Sequence, residues 1–332
     1  MLNVPNLAVT TGDPSGIGPE IVVRALSEIE SSVPIRIFGS WDLAAETLRR
    51  SGIETAIPVA PISKADSRRD EGVLFVDIGT DPDVDDFEVG RISRAGGRAA
   101  LASIDAAVGS IESGRNGALV TAPLNKAAIR LAGSTLPGHT EILATRAGLE
   151  RYAYDYAMYF DAPTFGVALL TVHVPLRDVP AAITSDKVSA LARLVDREWP
   201  KLGNGRPRIA LAGLNPHAGE GGLFGTEEGE MTSGIETAHD AGIDVEGPFP
   251  ADTLFHAARD GRYDVVIAAY HDQGLIPIKT LYFNETVNVT LGLPYLRASV
   301  DHGTAFDIAG RGAADHSAMK FALEWTMERL TR

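Results

Sequence analysis

Cysteine is absent from the 332-residue sequence. Its absence removes disulfides, thiolate nucleophiles, iron–sulfur clusters and Cys-ligated zinc, and leaves histidine and carboxylate as the available metal ligands. Positive charge is scarce: 30 basic residues face 44 acidic ones, for a formal charge of -14. A surface of that sign disfavours nucleic acid and anionic membrane as partners, so an anionic substrate has to be met by a local cationic pocket. Long apolar runs are also missing. None approaches the roughly 18 residues that span a bilayer, and the opening MLNVPNLAVTTGDPSG has no basic stretch leading into an apolar core. We therefore expect a cytoplasmic protein. A hydrophobic content of 45% is ample for the core of two domains or of one large α/β unit.

Short β-rich apolar runs alternate with helical patterns. LAVTTG precedes PEIVVRALSEI, IRIFG precedes DLAAETLRRSG, and ALVTAP, FGVALLTVHV, RIALAGL, DVVIAAY and VNVTLGL follow. Such alternation predicts an α/β sheet with crossover helices. Pro19 suits a first helical turn, and the segment from Ser185 and Val188 onward predicts a capped amphipathic helix ending near Gly203. The charged, proline-containing stretch from Pro61 to Asp86 reads as surface loops, and no fixed-period repeat or low-complexity tract is found.

Three of the eight histidines directly follow strand-like runs: His173 in ALLTVHVPL, His217 in ALAGLNPHAGE and His271 in VVIAAYHDQG. Ligands of open α/β sheets collect at the carboxyl ends of strands. Three imidazoles placed there suit a divalent ion, with Asp272 as an outer carboxylate or additional ligand; alternatively, each histidine simply hydrogen-bonds its own loop. TGDPSGIGPE joins a strand to a helix through small residues, but Ile21 stands where the third glycine of GxGxxG is required. The segment is therefore either a close backbone approach to a ligand or a turn that caps the next helix. The loop Gly219–Gly225 admits a pyrophosphate or is a mobile surface loop. Lys126, His139 with Thr140, Lys279 and Arg297, each in a polar break beside an apolar run, are candidates for a phosphate pocket, and Asn288 is a polar side chain among apolar neighbours that needs a partner.

Taken together and in order, TGDPSGIGPE, TAPLNK, GHTE, GLNPHAGEGG with GTEE, GPFPADTLF, YHDQGL and VNVTLGLPYLRASVDHGTAFDIAGRG resemble the 4-hydroxythreonine-4-phosphate dehydrogenase family across residues 10 to 312. The resemblance implies two α/β/α domains with a cleft between them, as in isocitrate and isopropylmalate dehydrogenases, in a homodimer whose metal ligands are shared across subunits. We place the first domain at 1–140 plus 286–332, and the second, carrying most metal ligands and the dimer interface, at 141–285. His173, His217 and His271 match the family's metal positions, and His139, Thr140, Lys279, Asn288 and Arg297 match its substrate positions. The dinucleotide of such enzymes binds without GxGxxG, and we assign its neighbourhood to Gly219, Gly222, Asn288 and Leu291.

The family reaction is oxidation of a secondary hydroxyl by NAD or NADP with a divalent ion (Zn, Mg, Co or Mn), followed by loss of the adjacent carboxylate. Applied to 4-phosphooxy-L-threonine it yields 3-amino-2-oxopropyl phosphate, in pyridoxine biosynthesis. Lys279 and Asp272 are the candidates to take the hydroxyl proton. Related members oxidise D-threonate or D-erythronate 4-phosphate, and a more distant branch acts on aromatic cis-dihydrodiols; GHTE and Arg297 argue for a phosphorylated substrate. This sequence departs from the biosynthetic members after the lysine, reading TLYFNETVNVT where they more often carry Gly-Phe. Outside the resemblance, three histidines beside a cationic pocket equally suit a metal-dependent hydrolase or lyase.

Overall fold

The computed structural model describes residues 6–31, 33–65, 72–81 and 85–332. Among these the strands are β1 (Asn6–Thr10), β2 (Ile35–Gly39), β3 (Val59–Pro61), β4 (Val73–Asp77), β5 (Asn116–Thr121), β6 (Ala157–Asp161), β7 (Gly166–Leu169), β8 (Ile209–Ala212), β9 (Val245–Phe249), β10 (Val265–Ala268), β11 (Val287–Leu291) and β12 (Leu296–Ser299). The helices are α1 (Gly18–Ser27), α2 (Trp41–Arg50), α3 (Ile62–Ala65), α4 (Arg94–Glu112), α5 (Lys126–Leu131), α6 (His139–Arg146), α7 (Val179–Ala182), α8 (Ser185–Glu198), α9 (Glu227–Asp240), α10 (Ala251–Arg259), α11 (His271–Tyr282) and α12 (Ser317–Leu330). All seven strand-like runs read from the sequence are strands. The chain forms two compact units, residues 1–143 with 295–332 and residues 144–294.

In the first unit the strand order is β3-β4-β2-β1-β5-β12 and every pairing is parallel. The apolar runs IRIFG and ALVT are buried along their length, as a sheet covered on both faces requires. α4 packs over β1, β2 and β5 on one face, while α12 covers β5 and β12 and packs against α1 on the other. The chain reverses its winding between β1 and β5, the switch point at whose carboxyl edge ligands of such sheets bind.

In the second unit the order is β11-β6-β7-β10-β8-β9. β6 runs antiparallel to both its neighbours, and β7, β10, β8 and β9 are mutually parallel. Its core gathers Phe160, Phe165, Val167, Leu169, Val266, Leu254 and Ile278. Full burial of one such side chain contributes about 1.5–3 kcal/mol.

Three sequence readings are corrected. The stretch from Pro61 to Asp86 is not all surface loop. β4 lies inside it, with Leu74, Phe75 and Val76 at 5% exposure or less; residues 66–71 and 82–84 are outside the described residues. The cap of α8 is Thr184, whose hydroxyl accepts from Lys187 N, and not Ser185, which is the first helical residue. α8 also stops at Glu198, because Pro200 has no N–H to donate and a short 3-10 turn, Trp199–Lys201, follows instead.

TGDPSGIGPE forms a buried turn between β1 and α1. Residues 11–20 are all buried, and the loop packs directly on the segment after β5. Gly12 has φ +66°, and a Cβ there would lie 2.2 Å from the Pro123 carbonyl oxygen, so no other residue fits. Asp13 is fully buried within this turn. Its Oδ1 accepts from Ser15 N at 2.9 Å, while Oδ2 has no hydrogen-bond partner among the described residues. Burial raises the Asp13 carboxyl to about 6, against a smaller lowering by Ser15.

Because the folded state holds this proton more tightly than the unfolded chain, stability falls as pH rises from about 4 through about 6 and stays reduced above. Asp13→Asn keeps the Ser15 contact and removes the ionisation. It should leave stability near the wild-type value at pH 4.5 and raise it by up to about 3 kcal/mol at pH 8, as read by urea unfolding at the two pH values.

Candidate functional site

β7, β10 and β8 are adjacent parallel strands, so their carboxyl ends lie side by side at roughly 4.8 Å spacing. His173 follows β7, His271 opens α11 after β10, and His217 follows β8. The His173 and His271 rings come together, with centroids 5.7 Å apart and planes inclined at 42°. His271 Nδ1 lies 2.7 Å from Asp272 Oδ1. With Nδ1–H donating there, Nε2 keeps a lone pair for a metal, the usual arrangement of a ligand histidine. His217 is not drawn in with them; its ring lies against Phe224 at 6.3 Å. Among the described residues no group of three His, Asp or Glu side chains is assembled. The chemistry of the donors fits a divalent ion, and this chain gathers two of the three.

Backbone geometry accounts for His217. Residues 217–221 all take left-handed dihedrals, including the non-glycines His217 (φ 55°), Ala218 (φ 51°) and Glu220 (φ 45°). Each non-glycine costs about 1–2 kcal/mol in that region, so the turn must be held from outside. Glu228 holds it: its carboxylate accepts from Asn215 N at 2.7 Å and Asn215 Nδ2 at 3.0 Å. A Cβ on Gly219 would lie 2.7 Å from the same carboxylate, which fixes glycine there. The strand ends are tied together as well. Thr171 Oγ1 donates to the Ala269 carbonyl at 2.8 Å, Ala269 N donates to Gln273 Oε1 at 2.7 Å, and Gln273 Nε2 donates to the Gly213 carbonyl at 2.7 Å.

Of the remaining second-unit candidates, Lys279 lies half-buried on α11, Asp272 is 71% exposed, and Gly222 is exposed at the tip of the His217 loop. Leu291 is buried at the end of β11. Asn288 pairs with Phe160 across β11 and β6, and its Oδ1 is shielded from solvent with no partner among the described residues.

In the first unit Arg297 is 2% exposed. It lies inside β12 rather than in a polar break, the position expected from the sequence, because its aliphatic stem and its neighbours complete the strand's buried face. Its Nη2 donates to Thr121 Oγ1 at 2.6 Å. Burial pushes the guanidinium down to about 10, countered by Tyr295 and Glu141. His139 stands at the start of α6, and burial, with Arg297 beside it, holds its imidazole well below the ordinary value and hence neutral. Its Nε2 is shielded and has no hydrogen-bond partner among the described residues. Thr140 is buried next to it at the helix N-terminus, where partial positive charge favours an anion. Lys126 is exposed at the start of α5.

Sequence reasoning missed Asp13, Thr121, Thr171, Asn215, Glu228 and Gln273. Each lies in a motif read as a unit; the available signal was a polar residue ending an apolar run, as Thr121 does after ALV.

Doubly wound α/β units with imidazoles and a buried guanidinium toward the carboxyl ends of their strands define the class of α/β ligand-binding enzymes. Within that class the chain belongs to the family described as pyridoxal phosphate biosynthetic protein PdxA, which matches residues 31–326; it is the family the motifs resembled. The 4-hydroxythreonine-4-phosphate dehydrogenase of Geobacter metallireducens is 41% identical over 324 residues, covering 96% of this chain and 94% of that protein. The D-threonate 4-phosphate dehydrogenase of Salmonella typhimurium is 39% identical over 330 residues, covering 98% and 99%. The crystal structure of 4-hydroxythreonine-4-phosphate dehydrogenase from Klebsiella pneumoniae has a TM-score of 0.87 at 36% identity, covering 98% of this chain and 99% of that chain.

The Glu228 clamp predicts a local effect. Glu228→Gln replaces one acceptor by a donor facing Asn215. Amide hydrogen exchange over residues 218–223 should accelerate by about tenfold or more, with the far-UV circular dichroism unchanged, because a hydrogen bond to a charged group contributes about 1.5–3 kcal/mol.

Proposed function

We propose that this chain is an NAD(P)-dependent dehydrogenase that oxidises the secondary hydroxyl of 4-phosphooxy-L-threonine and releases the adjacent carboxylate, giving 3-amino-2-oxopropyl phosphate. The observation that carries this reading is the buried Arg297 guanidinium beside the neutral His139 at the start of α6. A cation stripped of water at a helix N-terminus is a site for a doubly charged anion such as phosphate, and the relatives named above act, by name, on 4-phosphorylated hydroxy acids. D-threonate 4-phosphate is the alternative substrate, favoured by the 39% identical Salmonella typhimurium relative.

In this reading Arg297, His139 and Thr140 bind the phosphate, with Lys279 and Asn288 on the rest of the substrate. Asp272 orients His271, and Lys279 takes the hydroxyl proton as hydride passes to the nicotinamide. The C–C bond to the carboxylate then breaks, its electron pair passes into the ketone, and the resulting enol is protonated. His173, His217 and His271 would hold a divalent ion, which supplies Lewis acidity at the reacting oxygen. Gly219 and Gly222 belong to the dinucleotide's neighbourhood, with Asn288 and Leu291 at β11.

We further propose that the protein works as a homodimer that completes the histidine set between subunits. Large exposed apolar side chains follow each of the three histidines along the chain: Leu176 (65%) after His173, Leu223 (73%) and Phe224 after His217, and Ile276 and Phe283 (77%) in and just after the helix that His271 opens. Such surface is characteristic of an interface. No helix among the described residues is long and apolar enough to cross a membrane, in keeping with cytoplasmic work on a small metabolite.

The first test follows absorbance of reduced cofactor with the metal-loaded protein, NAD⁺ or NADP⁺, and 4-phosphooxy-L-threonine, D-threonate 4-phosphate and D-erythronate 4-phosphate in parallel. Turnover of the amino acid is expected; turnover of a sugar acid alone moves the enzyme to catabolism, and turnover of none sinks the reading. His217→Ala should abolish zinc binding in calorimetry and turnover, with the thermal transition retained; full turnover in this variant would remove His217 from the metal set.

A further inference from the structure

We infer that Thr121 is a positioning residue for anion recognition: by accepting from Nη2 it helps to fix the rotation in which the Arg297 guanidinium meets the substrate's phosphate. The inference rests on the proposed phosphate site and adds to it a residue that does not touch the substrate.

The geometry follows from register. β12 pairs with β5 so that Arg297 stands opposite Leu119 and Ser299 opposite Thr121. Arg297 and Thr121 are therefore diagonal neighbours on one face of the sheet, about 7–8 Å apart along the backbone, within reach of a long side chain. The contact is 2.6 Å from Nη2 to Thr121 Oγ1, and both residues are buried, Thr121 completely. Thr121 is the last residue of β5, at the switch-point edge where β1 and β5 diverge. A buried guanidinium has no water to satisfy its five donors, so each protein acceptor selects a rotamer.

His139 adds to this requirement. Its imidazole is kept neutral by burial and by Arg297, so it does not compete as a second cation, and its shielded Nε2 has no protein partner among the described residues. Arg297 is thereby the charged member of this buried pair. A planar fork held in one rotation recognises a phosphate through two parallel hydrogen bonds, and a freely rotating one does not.

Thr121→Val keeps the shape and removes the acceptor, and Thr121→Ser keeps the acceptor and removes the methyl. In steady-state kinetics with the phosphorylated substrate, Val at 121 should raise KM about tenfold with kcat within about threefold of wild type. It should also weaken competitive inhibition by inorganic phosphate in parallel, and Ser should restore both. Arg297→Ala is the control, expected to raise KM for the phosphorylated substrate far more than for its dephosphorylated analogue.

If Arg297→Ala changes neither KM nor phosphate inhibition, the phosphate site itself is wrong. If Arg297→Ala acts as expected but Thr121→Val does not, or Ser fails to rescue, the positioning role of Thr121 is wrong and the site stands. Should the Val variant not fold, the pair Thr121→Ala and Thr121→Ser carries the same comparison, with Ala raising KM and Ser not.

Discussion

β5 is paired on both sides by parallel neighbours, β1 and β12, and much of the first unit is arranged by those two registers. One ladder sets Thr10 beside Thr121 and continues the chain into the buried turn that packs on the segment after β5. The other brings Arg297 from residues almost two hundred positions later onto the same face as Thr121. A slip of one residue in the β5–β12 ladder would turn Arg297 to the opposite face. The fully buried run of β5, whose apolar side chains have no solvent alternative, is what prevents that slip.

The second unit solves a different problem, which is how to place polar side chains at the ends of strands that are themselves wholly apolar. Parallel strands end together at one edge, and the residues just beyond them are free of the ladder. The hydrogen-bonded chain through Thr171, Ala269, Gln273 and Gly213 joins the ends of β7, β10 and β8. His173 and His271 meet as a consequence. His217 sits in a left-handed turn that its own residues would not choose, held by Glu228 and Asn215. Strain of this kind persists only where the surroundings impose it, and it is typically found at binding sites.

Buried charge marks both roles. Asp13 is a carboxyl raised toward neutrality inside a buried turn, while Arg297 is a cation held inside β12, with Thr121 among its acceptors. The first is a cost that the fold tolerates; for the second, desolvation strengthens any interaction with an opposite charge.

The places of His173, His217 and His271 were legible because residues following apolar runs report strand ends whatever the tertiary arrangement, and the ordered motifs identified the family; Arg297, read as lying in a polar break, is instead inside β12. Strand β4 was hidden in a charged stretch because the sequence around it is polar while its own VLFVD run is short. Thr121, Glu228 and Gln273 were invisible as individuals because their roles are pairings: a hydroxyl with a guanidinium 176 positions away, a carboxylate with a backbone amide, an amide side chain with two separate strand ends. Hydrophobic periodicity and strand-end chemistry are local, so the sequence alone determined the α/β class and a list of candidate side chains. Which of those side chains meet, which are neutral and which are held under strain depends on register and burial, and only the tertiary structure decided it.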